Sequence, residues 1–476
     1  MNRSRYLLKN MSLFTISNMA SKLIVFLLVP LYTNVLSESD YGIADVMQTT
    51  LLLLVPLISV NAGEAALRYG IEYSDKRGSV LKSGIRHVLR SVFIVAAGCM
   101  ILAFICRSDR LLAGYFLIFS VLYVCNALYE FMLLYTQGCE KVEVMITGSV
   151  SCTVITVTMN IIMLLVLKTG LYGYLLSQIV AFLTAFVLMF VLIKGSELIK
   201  ADEDLNLKNE MTSYGRGMMV YSTASWANNA IDRYFILFML GSVQNGLYGV
   251  AYKIPAILTV FQRIFAQSFQ MSATKEYKEE DSGRFFGELF ELYNAVMLAG
   301  CAFLLIVLKP LASFMFRKGF YEAWILVPPL LISVIFGALE GFLGSICLAH
   351  KDGKSMGIAT GAGAIVNITL NFFAIRSYGA MGAAYATLIS YFTMFVIAYH
   401  FTGKHVAIEV DIKKDAVGYL LILLAGAVTM YGAKWTGSEY LPAALCVFIF
   451  AVIIFIYRKQ AAYFIKRAGS IIKRVK

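Results

Sequence analysis

Apolar residues do not alternate with polar ones along this chain; they run together in about fourteen long stretches separated by short charged loops. Each stretch is long enough to cross a bilayer as a helix, which takes about 20 residues, and too continuous for a barrel strand. The expected spans are 10–33, 43–66, 86–106, 111–135, 144–167, 170–193, 214–238, 246–269, 286–308, 322–348, 356–375, 379–401, 415–434 and 440–457. The pattern predicts an all-α polytopic membrane protein with about fourteen transmembrane helices.

Composition agrees with the pattern. Of 476 residues 59% are apolar and 15% charged, which sets ordinary soluble classes aside. A basic stretch from Asn2 to Lys9 precedes a full-length span without a small-residue cleavage site, so the first helix is expected to be retained. The eight cysteines are scattered singly, without a CxxC pair, and read as small packing residues; no metal or other cofactor is called for. A net charge of +12 raises nucleic acid as a partner. The basic residues nevertheless sit in short loops and in the tail 458–476, mostly on the N-terminal side of the spans, where they read as topology. Both termini are therefore expected in the cytoplasm, with the tail along an anionic inner leaflet.

Two short motifs recur at similar offsets. Tyr41-Gly42 near the start of the second span returns as Tyr248-Gly249 in the eighth, and Gly170-Leu-Tyr-Gly173 opens the sixth span as Gly379-Ala-Met-Gly382 opens the twelfth. A duplicated six-helix unit follows, with both copies in the same orientation and a cavity expected between them. The expected division is an N-lobe 1–193, a cytoplasmic linker 194–213, a C-lobe 214–401, two added helices within 402–457 and the basic tail 458–476. Gly337-xxx-Gly341 and Gly357-xxx-Gly361 are expected to let helices pack closely. Pro30, Pro56 and Pro255 lie inside spans and weaken the local helix, which suits either a gate or a static kink.

Charges inside the spans are the candidate chemistry, because each costs about 2.5–3.5 kcal/mol at a helix centre. The first span places Asn18 and Lys22 on one face, and the second aligns Asn61, Glu64 and Arg68, with Glu64 and Arg68 spaced to pair. The seventh carries Asn228, Asp232 and Arg233, and the eighth carries Lys253 and Arg263. Cations outnumber anions, so a cavity built from them favours a phosphate or diphosphate. The alternative is that Asp232 pairs with a neighbouring cation while Lys253 or Arg263 snorkels to an interface. Glu130 and Glu340 are candidates for coupling to an ion gradient, or else neutral buried acids. No HExxH, GxSxG or Walker pattern occurs, and the chain is not expected to be an enzyme.

The opening KNMSLFTISNMASKLIVFLLVPLYTNVLSESDYGIADV, with PLISVNAGEAALRYG after it, resembles the start of bacterial polysaccharide repeat-unit flippases of the multidrug, oligosaccharidyl-lipid and polysaccharide exporter superfamily. Asp232-Arg233, Leu240-Gly241 and the run Gly246 to Lys253 are similar to that family's pattern across helices seven and eight. The resemblance implies alternating-access transfer of an undecaprenyl-diphosphate-linked oligosaccharide from the inner to the outer leaflet of a bacterial plasma membrane. It also implies a cationic cavity, to which Lys22, Arg68, Lys253 and Arg263 correspond by helix and depth; Arg233 joins them from the charge pattern. Expected partners are the lipid-linked glycan, membrane lipids, H+ or Na+, and a glycan polymerase or glycosyltransferases. Three rivals stay open: a drug or cation exporter of the same superfamily, kept alive by Asp232, Glu64 and Glu340; a polytopic glycan polymerase or ligase; and a scaffold for glycan enzymes. The polymerase reading is disfavoured by the short external loops, the longest running from about Lys309 to Tyr321.

Overall fold

The computed structural model describes residues 26–200, 202, 204–276, 282–350, 352–438 and 440–458, and every regular element among them is helical. Among the described residues ten helices are long and apolar enough to cross a membrane, and the chain is a multi-pass membrane protein. It divides into two compact units, up to Ala230 and from Ile231.

The first unit contains α1 (Val29–Val35), α2 (Glu38–Ile58), α3 (Ala62–Glu72), α4 (Arg77–Ile105), α5 (Arg110–Gly138), α6 (Val142–Asn160), α7 (Gly170–Leu192), the single turn α8 (Gly195–Leu198) and most of α9 (Leu205–Leu240). A π-helical turn, Ile161–Val166, continues α6. The sequence reading makes α2 and α3 one span, but the helix breaks between them. Pro56 supplies no N–H, and Val60 and Asn61 both take left-handed backbone, with the Asn61 N–H bonding the Pro56 carbonyl at 2.7 Å. α9 packs into this break: a Cβ on Gly215 would lie 2.0 Å from the Val60 carbonyl oxygen. The interval 194–213 holds α8 and the first two turns of α9, so much of the expected linker is helical. α5 is the central post, packing on α3, α4 and α7.

The second unit continues with α10 (Ser242–Ala251), α11 (Pro255–Glu276), α12 (Ser282–Ile306), the short α13 (Leu308–Met315), a 3-10 turn Lys318–Leu326, α14 (Val327–Ala349), α15 (Gly353–Tyr378), α16 (Ala380–Thr402), α17 (Ile412–Thr436) and α18 (Tyr440–Ile456). The eighth span is again two helices, because Pro255 cannot continue α10 and instead opens α11. α14 is the most buried of the apolar helices and packs on α11, α12, α16 and α17. The added pair α17 and α18 is tied to α12 by a buried polar knot: Tyr457 Oη donates to Asp415 Oδ1 at 2.7 Å and Asn294 Nδ2 to the same oxygen at 2.9 Å. Beside it Lys414 Nζ lies 2.6 Å from Glu291 Oε1.

Gly170 and Gly379, 209 positions apart, share a φ of +60° and stand at the starts of α7 and α16. Of the four expected glycine packing positions Gly337 alone is closely packed, a Cβ there lying 3.0 Å from the Tyr391 ring. A Cβ on Gly341, Gly357 or Gly361 would meet nothing within 4 Å, whereas one on Gly138 would meet the Leu67 carbonyl oxygen at 2.6 Å and one on Gly382 the Ala374 carbonyl oxygen at 2.1 Å. Spacing places small residues on one face but does not specify what lies against it.

Candidate functional site

In the second unit, α9, α10 and α16 bring their polar residues together around Asp232, which is 2% exposed. Asp232 Oδ2 accepts from the Tyr248 hydroxyl, from Tyr252 Oη at 3.3 Å and from Thr387 Oγ1 at 3.4 Å. Its Oδ1 accepts the Arg233 backbone N–H at 3.0 Å and lies 3.5 Å from Arg233 Nη1. The Arg233 guanidinium sits 4.6 Å from the centre of the Tyr252 ring and its side chain is 12% exposed. Tyr248 and Tyr252 are four residues apart, hence on one face, with their rings edge to face at 5.2 Å. A carboxylate with three hydroxyl donors and an adjacent guanidinium is a satisfied buried pair, with the arginine its more accessible member.

Tyr391 on α16 is within electrostatic reach of Asp232, Arg233 and Glu340 of α14. Glu340 itself makes no ion pair or hydrogen bond among the described residues, and neither does Glu130 of α5, which lies beside Tyr129 and Cys152 in the first unit. Lys253 occupies the turn between α10 and α11, half-buried, with its N–H bonded to the Val250 carbonyl at 2.9 Å. Arg263 is exposed two turns into α11. The sequence reading names Asp232, Arg233 and Lys253 as site residues, places Tyr248 and Tyr252 in a motif without a role at the site, and misses Thr387. The spacing of the two tyrosines is the available signal; Thr387 has none, because its partner is 155 positions away.

In the first unit Asn61 is buried at the helix break, where its Oδ1 accepts from Ser222 Oγ at 3.2 Å and its Nδ2 has no partner among the described residues. Asn228, also buried, lies farther along α9. The expected Glu64–Arg68 pair is not formed: Arg68 Nε lies 3.7 Å from Glu72 Oε2, one turn the other way. The Arg68 guanidinium stacks 4.8 Å from the Tyr214 ring centre, which draws it away from Glu64. Arg68 thereby lines a shallow groove of about 460 Å³ with Tyr69, Glu210 and Tyr214. Asn18 and Lys22 lie outside the described residues.

Residues 7–273 match the polysaccharide biosynthesis protein family. The chain belongs to that family. Within the curated proteins, this family member is 24% identical over 257 residues, 51% of its length, to an uncharacterized membrane protein of Methanocaldococcus jannaschii, and it spans 60% of that relative. Its fold is shared by solved structures of a lipid flippase and of multidrug transporters. The lipid II flippase MurJ, in an inward closed conformation, aligns over 94% of this chain and 99% of its own with a TM-score of 0.68 at 16% identity. An inward-facing multidrug resistance MATE transporter aligns over 82% and 94% with a TM-score of 0.63 at 13% identity. At such identities the likeness is one of fold, and it is shared by flippase and drug exporter alike.

Proposed function

We propose that this family member is a secondary transporter that moves undecaprenyl-diphosphate-linked oligosaccharide repeat units from the inner to the outer leaflet by alternating access, supplying cell-surface polysaccharide synthesis. The carrying observation is Arg233: a cation largely buried along a membrane helix, in a member of a polysaccharide biosynthesis family. Arg233, Lys253 and Arg263 of the second unit hold the diphosphate through charge-assisted hydrogen bonds, which are roughly twice as strong as neutral ones. Asp232 fixes Arg233 in place without cancelling the surplus of positive charge. Both termini lie in the cytoplasm. With the interior negative, each negative charge carried outward gains about 2.3 kcal/mol per 100 mV. Exchange for H+ or Na+ at Asp232, Glu64, Glu130 or Glu340 adds to that drive, and Asn18, Asn61 and Asn228 supply polar lining. The polymerase or glycosyltransferases of the same glycan are the expected protein partners.

Asp232 also supports a second reading, since a buried carboxylate suits a cationic cargo and the MATE fold is shared. One experiment separates the two. The protein is reconstituted in liposomes with a fluorescent undecaprenyl-diphosphate oligosaccharide, and outward exposure of the sugar is read with an added glycosidase. Transfer by wild type that drops at least tenfold in Lys253→Ala and in Arg233→Ala supports the flippase. Extrusion of a cationic dye, with no transfer of any lipid-linked sugar, replaces it with the exporter.

A further inference from the structure

A second cluster of cations lies in the first unit, where α4 meets α9. His87 on α4 contacts Thr212 of α9, with Nε2 and Oγ1 3.0 Å apart. One helical turn on either side of Thr212 are Lys208 and Arg216, and on α4 Arg86 and Arg90 flank His87; all four cations are within electrostatic reach of the imidazole. Like charges are costly to gather unless something anionic shares the site. Arg86 and Lys208 already have polar partners, whereas Arg90 and Arg216 are exposed and form no ion pair among the described residues.

Arg90 is also where α4 changes character. From Ser91 to Cys106 the sequence carries no charge, and Leu89, Phe93 and Ile94 are 54%, 76% and 55% exposed. Arg86, Leu89, Arg90, Phe93 and Ile94 together line an open groove of about 410 Å³. Cations at one end and bare apolar side chains one turn deeper complement a molecule with an anionic head and hydrocarbon tails. We propose that this groove is a binding site for an anionic glycerophospholipid, with its phosphate at Arg90 and Arg216 and its acyl chains along Phe93 and Ile94. The bound lipid bridges α4 and α9 on the face where the basic loops lie.

The test uses the full chain in detergent micelles, with retained lipids counted by native mass spectrometry after incubation with phosphatidylglycerol or phosphatidylcholine. A basic residue beside an anionic lipid changes partition roughly fivefold, so Arg90→Gln/Arg216→Gln is expected to weaken phosphatidylglycerol retention roughly 30-fold and leave phosphatidylcholine unchanged. Arg90→Lys/Arg216→Lys keeps the charge and stays within roughly threefold of wild type. It serves as the folded comparison if the glutamine variant assembles poorly. Arg107→Gln/Arg110→Gln removes the same charge beyond the far end of α4 and leaves retention unaltered. Equal retention of the two phospholipids by wild type overturns the proposal, as does equal loss in the two glutamine variants. Displacement by millimolar inorganic phosphate would show a bare anion site instead. Preference for undecaprenyl diphosphate over phosphatidylglycerol would reassign the groove to the cargo.

Discussion

Replacing Asp232 with alanine removes the acceptor around which α9, α10 and α16 meet, and the cost can be built up from the contacts. Three hydroxyls and one backbone N–H lose their oxygen. The hydroxyls are not all stranded, because Tyr248 Oη lies 3.5 Å from Tyr252 Oη and 3.4 Å from Thr387 Oγ1, so they can bond one another after a small shift. The larger loss is Arg233, whose guanidinium is left in a largely buried setting with the Tyr252 ring but without its carboxylate. Breaking a buried pair by removing one partner costs about 3–5 kcal/mol; the residual 12% exposure of Arg233 and the rebonding of the hydroxyls bring the expectation for Asp232→Ala to about 2–4 kcal/mol. Tyr248→Phe removes one donor to the same carboxylate and is expected to cost about 1–2 kcal/mol. The two should not add: in the alanine background Tyr248→Phe should cost almost nothing, giving a coupling of about 1–2 kcal/mol. Equilibrium unfolding in mixed micelles, followed by tryptophan fluorescence, measures all four corners of the cycle. Additive costs, or an alanine variant within about 0.5 kcal/mol of wild type, would refute the account of Asp232 as the shared acceptor.

Two further outcomes follow from residues far from that cluster. Gly215→Ala forces a methyl to 2.0 Å from the Val60 carbonyl oxygen and is expected to destabilise by about 1–3 kcal/mol, whereas Gly217→Ala, with open space around it, should stabilise α9 by up to about 1 kcal/mol; paired thermal melts read the opposite signs. Asp352, in the loop before α15, is held well below the ordinary carboxylate value of 3.8 by hydrogen bonds from Ser355 and from His405 at 2.8 Å. A depressed folded-state pKa stabilises above the unfolded value and loses that contribution as pH falls through the folded one, so Asp352→Asn should lower the melting temperature at pH 7 and converge on wild type as the pH drops below 3.8; a gap that stays constant with pH would exclude the mechanism.

The span pattern was legible because lipid allows no alternative. A backbone segment in hydrocarbon must satisfy its own hydrogen bonds, so an apolar run of sufficient length is a helix whatever its neighbours do. The expected spans 170–193 and 415–434 accordingly match Gly170–Leu192 and Ile412–Thr436 to within a few residues. What the sequence concealed are the places where tertiary contacts overrule local preference. Val60 is a β-branched residue in left-handed backbone, which no propensity anticipates; it is held there by the close approach of Gly215 from another helix. The polar knot of Asn294, Asp415 and Tyr457 was invisible for a similar reason, since its members are 121 and 42 positions apart and none belongs to a recognisable spacing.

The Asp232-Arg233 pair shows how much a motif leaves undetermined. Neighbours at i and i+1 point to different sides of a helix, so adjacency alone predicts that the two charges face different surroundings. The structure brings them together instead, with Arg233 Nη1 3.5 Å from Asp232 Oδ1 and both side chains against Tyr252; the carboxylate takes the hydroxyls of α10 and α16, while the guanidinium lies over the Tyr252 ring and keeps the greater exposure, 12% against 3%. The two residues therefore separate by what a substitution damages. Loss of Asp232 loosens the helices it ties together, and transport fails because the protein does; loss of Arg233 as glutamine leaves the three hydroxyl donors of Asp232 in place, so assembly should survive while anion affinity falls. A cation whose orientation is fixed by a fully bonded acid has less side-chain freedom left to lose when an anion arrives, which is what the proposed role of Arg233 in holding a diphosphate requires.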